Sequence, residues 1–225
     1  MSQQLWDRAR WALWIALLGG ITYFFAFRSG VEGLPASIWK TTGVGFLALW
    51  AWLNARGGQH QHRWIAAILA FGAAGDFLLA EWGLIVGGAT FATGHIIAII
   101  FFARNRQRNI AALSRNAVIL AVPLALLIAW RLAQGSEAAL VGAALSYTLI
   151  VALMAASAWL SRFPTSTTGL GAMMFLVSDL FLFVGEGGAL SRNISTLLVW
   201  PFYFGGQALI AWGVVRTLSR EADRG

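Results

Sequence analysis

Eight long apolar stretches follow one another along this chain, and the connections between them are short and rich in arginine. A helix needs about 20 mostly apolar residues to cross a bilayer. The pattern predicts an all-α, polytopic membrane protein whose one membrane domain, residues 1–225, is a bundle of eight transmembrane helices. The predicted spans are approximately 11–27, 36–54, 64–83, 88–103, 116–132, 137–159, 168–186 and 194–217.

The composition favours the same class of protein. Hydrophobic residues make up 59% of the chain and charged residues 11%, against about 25% charged residues in soluble domains. The chain contains no cysteine, which excludes disulfide bonds and thiolate metal sites. Its net charge of +7 does not indicate a nucleic-acid partner, because the arginines lie in the short connections between apolar stretches.

The positive charges predict the orientation of the bundle. With eight spans both termini lie on one side, and that side carries twelve of the 16 basic residues. Cytoplasmic connections of membrane proteins carry an excess of Lys and Arg. Both termini are therefore expected in the cytoplasm, in a multi-pass protein of the inner membrane. The basic residues expected on the other side are Arg28, Lys40, Arg131 and Arg192.

Two aspartates interrupt these apolar stretches. Asp76 lies within the third predicted span and Asp179 within the seventh. A carboxylate at bilayer depth costs roughly 2.5–3.5 kcal/mol on insertion scales, so it is rare without a function. Each aspartate lies about seven or eight residues before the predicted outer end of its span, roughly 10–12 Å below the surface. The two side chains are therefore expected to face one polar cavity.

Five other polar side chains are predicted in the same layer of the membrane. They are Lys40, His95, Tyr147, Tyr203 and Gln207. Each also has a structural interpretation: an interior histidine, hydrogen bonds between packed helices, or a lysine that extends to the interface. Their shared depth on several helices favours a site.

A carboxylate pair with hydrogen-bonding neighbours is suited to general acid–base catalysis. A metal site is poorly supported, because the layer holds one histidine and the chain has no HExxH motif. A serine nucleophile is also poorly supported, since no Gly-x-Ser-x-Gly motif is present. No metal or other cofactor is predicted.

His60 and His62, beside Arg56 and Arg63, are interpreted as part of a solvated turn.

Six short motifs occur in order from Lys40 to Gly213. They are Lys40-Thr41-Thr42, residues 75–79, residues 91–95, Tyr147 with Met154, residues 171–179 and residues 203–210. In their order and spacing, the chain resembles the lysoplasmalogenase (YhhN-like) family of eight-helix membrane proteins. It departs from the family pattern at Ala98, where the family often has a tyrosine three residues after the Gly-His pair.

The resemblance implies hydrolysis of the vinyl-ether bond of a lysoplasmalogen to a fatty aldehyde and glycerophosphoethanolamine or glycerophosphocholine. Such a reaction begins with protonation of the outer alkene carbon, and water then captures an oxocarbenium ion. One of Asp76 and Asp179 is expected to be the neutral acid. The other, ionised, is expected to stabilise the cation and deprotonate water, as in glycosidases. The residues leave open which aspartate has which role.

The lysophospholipid substrate is expected to keep its tail in the bilayer and to present its vinyl ether just below the head group. The candidates to bind its phosphate are Lys40, Arg28, Arg131 and Arg192. The candidates to bind water or the glycerol hydroxyl are His95, Tyr147, Tyr203 and Gln207.

Two other classes of function fit part of the pattern. A proton-coupled transporter or channel also uses membrane-embedded Asp and His, and Asp76 and Asp179 lie four spans apart, which fits a weak parallel repeat. Lys40 and His95 have no obvious counterparts in the other half of the chain, which disfavours this alternative. The third possibility is a lipid-binding or assembly factor without chemistry.

Overall fold

A computed structural model describes residues 2–55, 60–134, 137–186 and 192–224, except for the side chains of residues 2–8, 27 and 184–196. Over these residues the chain is all-α, as predicted, with eight α-helices. The helices are α1 (Ser2–Arg28), α2 (Leu34–Leu53), α3 (His60–Trp82), α4 (Leu84–Arg104), α5 (Ala112–Leu132), α6 (Ala138–Trp159), α7 (Leu170–Glu186) and α8 (Arg192–Ala222). A π-helical turn, Thr165–Gly169, precedes α7.

Seven of the eight helices in the described part of the chain are long and apolar enough to cross a membrane. The exception is α2, which has 20 residues but carries Lys40 and two threonines in its N-terminal half. Large apolar side chains such as Leu18, Ile85 and Leu120 are exposed on the outside of the bundle, as a surface that faces lipid requires. The chain is a polytopic helical membrane protein.

The connection between the third and fourth helices is shorter than the predicted spans, 64–83 and 88–103, imply. It is the single residue Gly83, since α3 ends at Trp82 and α4 begins at Leu84. Gly83 has a φ of +87°, a conformation that glycine adopts without a steric penalty. One residue is therefore enough to separate the two helices.

The solvated turn predicted around His62 is also wrong. His60 and His62 lie in the first turn of α3, and His62 is fully buried. Its Nε2 lies 3.4 Å from Ser219 Oγ on α8. His62 shares a helical face with the buried residues Ile65 and Leu69, and this spacing is why the side chain points into the bundle.

Helix α8 has a central place in the bundle, because α1, α2, α3 and α7 all pack against it. It lies in close backbone contact with α7 at Gly171 and Gly206. A Cβ atom on either glycine would lie 2.6 Å from the carbonyl oxygen of the other. Small residues of this kind let membrane helices come into backbone contact. Helix α5, in contrast, is the most exposed of the spans and packs on α6 and α7.

Arg162, in the connection between α6 and α7, joins three helix ends. Its Nε donates a 2.8 Å hydrogen bond to Asn105 Oδ1, its Nη2 donates a 3.0 Å bond to Gln61 Oε1, and its Nη1 pairs with Glu221. These partners lie at the end of α4, the start of α3 and the end of α8. One side chain thus fixes the relative positions of these helices at one end of the bundle.

We expect Gly171→Ala to destabilise the protein and Gly142→Ala to leave its stability unchanged or slightly higher. The new Cβ at position 171 would collide with the Gly206 carbonyl oxygen, and overpacking of this kind costs about 1–3 kcal/mol. No atom lies within 4 Å of a Cβ at position 142, where alanine gains up to about 1 kcal/mol in helix propensity. The free energy of unfolding, measured by SDS titration in mixed micelles, checks both. Equal stability of the two variants would contradict the close packing of α7 and α8.

Candidate active site

Asp76 on α3 forms an ion pair inside the bundle. Its Oδ1 lies 3.0 Å from Lys40 Nζ on α2, and its Oδ2 accepts a 2.7 Å hydrogen bond from the Tyr203 hydroxyl on α8. The Asp76 side chain is 1% exposed and the Lys40 side chain 19%. The ammonium also lies 5.9 Å from the centre of the Trp200 ring, within range of a cation–π interaction. Three helices therefore meet at one carboxyl group.

Asp179 on α7 is bound by hydroxyl groups instead. Its Oδ2 accepts a 2.9 Å hydrogen bond from the Tyr147 hydroxyl on α6, and its Oδ1 lies 3.3 Å from Ser178 Oγ. The Ser178 hydroxyl donates a shorter bond, 2.7 Å, to the Phe175 carbonyl oxygen of its own helix. No cation pairs with Asp179 among the side chains that the structure describes. The two buried carboxyl groups thus differ in the charge of their partners.

Aromatic rings connect the two carboxyl groups. From Tyr203 the contacts pass to Phe175, with ring centroids 5.2 Å apart, then to His95 at 4.7 Å and to Tyr147 at 6.2 Å. Phe91 packs against Tyr203 at 6.0 Å and against both Phe175 and His95 at 6.4 Å. The tyrosines that bind the two carboxyl groups thus share one aromatic lining.

His95 and Gln207 border a small internal cavity next to this lining. All of the residues that line it are buried, and it has about 10 Å³ of space for the centre of a water molecule. The lining residues are Ile68, Gly72, Phe91, Gly94, His95, Ala98, Phe102, Met154, Phe175, Gln207 and Ile210. His95 Nε2 is buried and has no hydrogen-bond partner among the described residues.

The seven residues that the sequence analysis placed in one layer come together in the structure. Lys40, Asp76 and Tyr203 form one cluster, Tyr147 and Asp179 form a second, and His95 lies between them with Gln207 nearby. Catalytic and binding roles for these residues remain predictions. Lys40 was a candidate phosphate ligand or an interfacial side chain, and the structure places its ammonium on Asp76.

The other candidate phosphate ligands lie apart from this cluster. Arg28 is in the last turn of α1, and Arg131 is in the last turn of α5, where its guanidinium lies 5.3 Å from the centre of the Trp130 ring. The side chain of Arg192 lies outside the described residues. Phosphate binding by these arginines also stays a prediction.

The aromatic lining was not predicted from the sequence. Phe91 precedes His95 by four residues, and Phe175 precedes Asp179 by four residues. Residues with this spacing lie on the same face of a helix. A search for aromatic residues one turn away from each buried polar group would have found both.

A metal-binding cluster was poorly supported by the residue types. Among the described residues, no three His, Asp or Glu side chains come together to hold a metal ion. His95 contacts the rings of Phe175 and Tyr147, and the two carboxyl groups bind Lys40 and hydroxyl groups. The chemistry available to the site is that of two carboxyl groups, one beside a cation and one beside neutral donors.

Comparison with known proteins identifies relatives of this chain. The model of the YhhN family matches residues 36–214. The lysoplasmalogenases of Mycobacterium bovis and Mycobacterium tuberculosis are each 27% identical to the chain over 159 residues. That region is 68% of this chain and 60% of each relative, so the match spans less than two thirds of the relatives' length. No solved structure matches the chain.

The pairing of Lys40 with Asp76 predicts a specific pattern of stabilities. We expect Lys40→Met and Asp76→Asn each to destabilise the protein, because each removes one partner of a buried ion pair. The double variant should be less destabilised than the sum of the two, by about 1–3 kcal/mol, since it leaves no unpaired charge. Unfolding by SDS titration measures the four stabilities of this cycle.

A second cycle provides the control. Lys40→Met combined with Glu221→Gln changes two residues with no common partner, and Glu221 pairs with Arg162 in another part of the bundle. The effects of these two changes should add. Additive effects in the Lys40–Asp76 cycle as well would contradict the ion pair.

Proposed function

The chain belongs to the YhhN family, and on this premise we propose that it is a membrane-embedded hydrolase of lysoplasmalogens. It would cleave their vinyl-ether bond and release a fatty aldehyde and a glycerophospho-base. The two mycobacterial relatives are named lysoplasmalogenases, and we extend that activity to this chain. The observation that carries it is the pair of buried carboxyl groups with unlike partners, one beside the Lys40 ammonium and one bound only by hydroxyl groups among the described side chains.

The unlike partners support one assignment of the two roles. Asp76 is the ionised carboxylate, because a cation at 3.0 Å offsets the cost of a buried negative charge. Asp179 is the neutral acid, because a buried carboxyl group without a cation avoids that cost by keeping its proton. The Tyr147 hydroxyl donates to one oxygen of Asp179 and leaves the other to carry the proton. The site then holds an acid and a base close together.

The reaction begins at Asp179. Its proton is transferred to the outer alkene carbon, whose π electrons form the new C–H bond, and an oxocarbenium ion results. Both carboxyl groups are then ionised beside the cation, and they stabilise it as carboxylates do in glycosidases. The faces of Phe91 and Phe175 add the attraction of aromatic rings for positive charge.

Water completes the reaction. Its oxygen bonds to the cationic carbon and Asp76 accepts one of its protons, which gives a neutral hemiacetal. As the hemiacetal breaks down, its hydroxyl proton passes to Asp179 and the departing glycerol oxygen takes the proton from Asp76. The products are an aldehyde and an alcohol, and both carboxyl groups return to their starting states.

The position of the site suits a lysolipid. Asp76 lies six residues before the end of α3 and Asp179 seven before the end of α7, a depth of roughly 10 Å at 1.5 Å per residue. A lysolipid whose tail stays in the bilayer presents its vinyl ether at about this depth. The substrate therefore has no need to leave the membrane to react.

We further propose that all eight helices cross the inner membrane within a single domain, with both termini in the cytoplasm. Helix α2 is included because Asp76 neutralises its only charged residue. The distribution of arginines among the connections supports the orientation. The acidic layer then lies nearer the outer face of the membrane.

The activity is tested with purified protein in detergent and a lysoplasmenyl lipid. We expect aldehyde release by the native protein and a loss of about 10²–10⁴-fold in both Asp76→Asn and Asp179→Asn, because each change removes one proton-transfer group. Glu221→Gln, in the polar contacts around Arg162, is the matched control and should retain full activity. A saturated lysoether, which has no alkene to protonate, should give no aldehyde.

Two results would contradict this function. Full activity in either aspartate variant would remove the carboxylate mechanism. Absence of aldehyde release by folded native protein would favour transport or lipid binding without chemistry.

The orientation is tested by labelling single cysteines, which the cysteine-free chain allows without a background. Glu32→Cys lies in the connection between α1 and α2, and Asp223→Cys follows α8. In intact cells with a permeable outer layer, a membrane-impermeant maleimide should label position 32 and leave position 223 unlabelled until the membrane is opened. The reverse pattern would overturn the proposed orientation.

A further inference from the structure

His95 has an unusual environment for a histidine inside a membrane protein. Its side chain is buried, and Nε2 has no hydrogen-bond partner among the described residues. Leaving a buried polar atom without a partner costs about 1–3 kcal/mol. Since buried polar groups are nearly always paired with protein or with ordered water, this nitrogen points to a ligand.

The cavity that His95 borders has the dimensions of one water molecule. Its space of about 10 Å³ for a water centre matches the smallest volume that holds a water. Ala98 contributes to this space, because its small side chain lines the cavity one turn after His95. Gln207 lines the same cavity, and its amide nitrogen would lie 3.0 Å from a Cβ atom on Gly72, another lining residue, so the amide is available as a second polar partner.

The cavity is lined by residues of the two helices that carry the carboxyl groups. Its lining residues Gly72 and Phe175 each lie one helical turn before an aspartate, Asp76 and Asp179 respectively. The Tyr203 hydroxyl, which donates to Asp76, lies 3.5 Å from the carbonyl oxygen of Gly72, and Gly72 lines the cavity. The cavity is thus connected by polar groups to the proposed base and is otherwise enclosed by apolar side chains.

We propose that this cavity binds a single water molecule between His95 Nε2 and the Gln207 amide, and that this water captures the oxocarbenium ion. The second part rests on the proposed function. The water oxygen forms the new C–O bond, one of its protons passes to Asp76, and the other stays on the hemiacetal. His95 holds the water with a hydrogen bond accepted at Nε2, so that the nucleophile is in place when the cation forms.

The proposal predicts what happens to the cation when water is not in place. In the native protein, capture by water is faster than loss of the added proton. Without the bound water the cation persists, and the outer carbon loses a proton again to regenerate a vinyl ether. In D₂O the recovered substrate would then contain deuterium at that carbon or appear as the E isomer. A purely structural role for His95 would produce neither.

The experiment compares three variants in D₂O, with mass spectrometry and NMR of the unreacted lipid. His95→Phe removes the water ligand, and Ala98→Val fills the cavity while leaving His95 and Gln207 unchanged. Thr148→Val is the control, because the Thr148 hydroxyl is also buried without a described partner but does not line the cavity. We expect the first two to lose about tenfold or more in turnover and to return labelled or isomerised substrate. Native protein and the Thr148 variant should return unlabelled Z substrate.

Two outcomes in this assay would overturn the proposal. One is native turnover in both His95→Phe and Ala98→Val. The other is slow turnover with unlabelled Z substrate, which would indicate a defect in folding or in protonation alone.

The water site can also be tested apart from catalysis. In water-edited solid-state NMR of ¹⁵N-histidine-labelled protein in liposomes, His95 should receive magnetisation from a bound water, and Ala98→Val should abolish the transfer. The His95→Phe spectrum assigns the signal. Absence of the transfer in native protein would overturn the water site, whereas absence of aldehyde release with the transfer present would overturn the proposed activity alone.

Discussion

A carboxylate inside a membrane protein is tolerated only where a partner offsets the loss of water, and here that partner is Lys40. The ion pair with Asp76 joins α2 to α3, and the Tyr203 hydroxyl extends it to α8, which packs against four other helices. The second carboxyl group, that of Asp179, depends on the same arrangement for its position, because its helix α7 packs against α8 at Gly171 and Gly206. The arrangement of the site thus follows from one charge and its partner.

The two carboxyl groups acquire different properties from ordinary differences in their neighbours. One has an ammonium group beside it, and the other has only hydroxyl groups among the described side chains. The aromatic rings between them keep the intervening space apolar, which strengthens every charge interaction across it. In the proposed mechanism this asymmetry replaces a metal ion or an activated nucleophile. A cavity of the size of one water molecule lies beside these rings, next to His95.

The sequence was sufficient for the helices and for the layer of polar residues, because apolar length and depth along a span are local properties. Asp76 and Asp179 could be located in this way. Their partners could not, since the pairing of Lys40 with Asp76 depends on how each helix is rotated and packed. The environment of His62 was predicted wrongly, because the neighbouring polar residues His60, Arg56 and Arg63 outweighed its spacing to Ile65 and Leu69. The π-helical turn before α7 gave no periodic signal, although Pro164 marks the place where it begins.

The ion pair also bears on how the chain enters the membrane during synthesis. Helix α2 is the least suited of the eight described helices to enter lipid alone, because it carries Lys40 and is not among the seven long apolar ones. The residue that neutralises this charge is on α3, the next helix to leave the ribosome. Insertion of α2 and α3 together, as a pair, would spare the bilayer an isolated ammonium group and an isolated carboxylate. A contact within the candidate site would thus also help the nascent chain to enter the membrane.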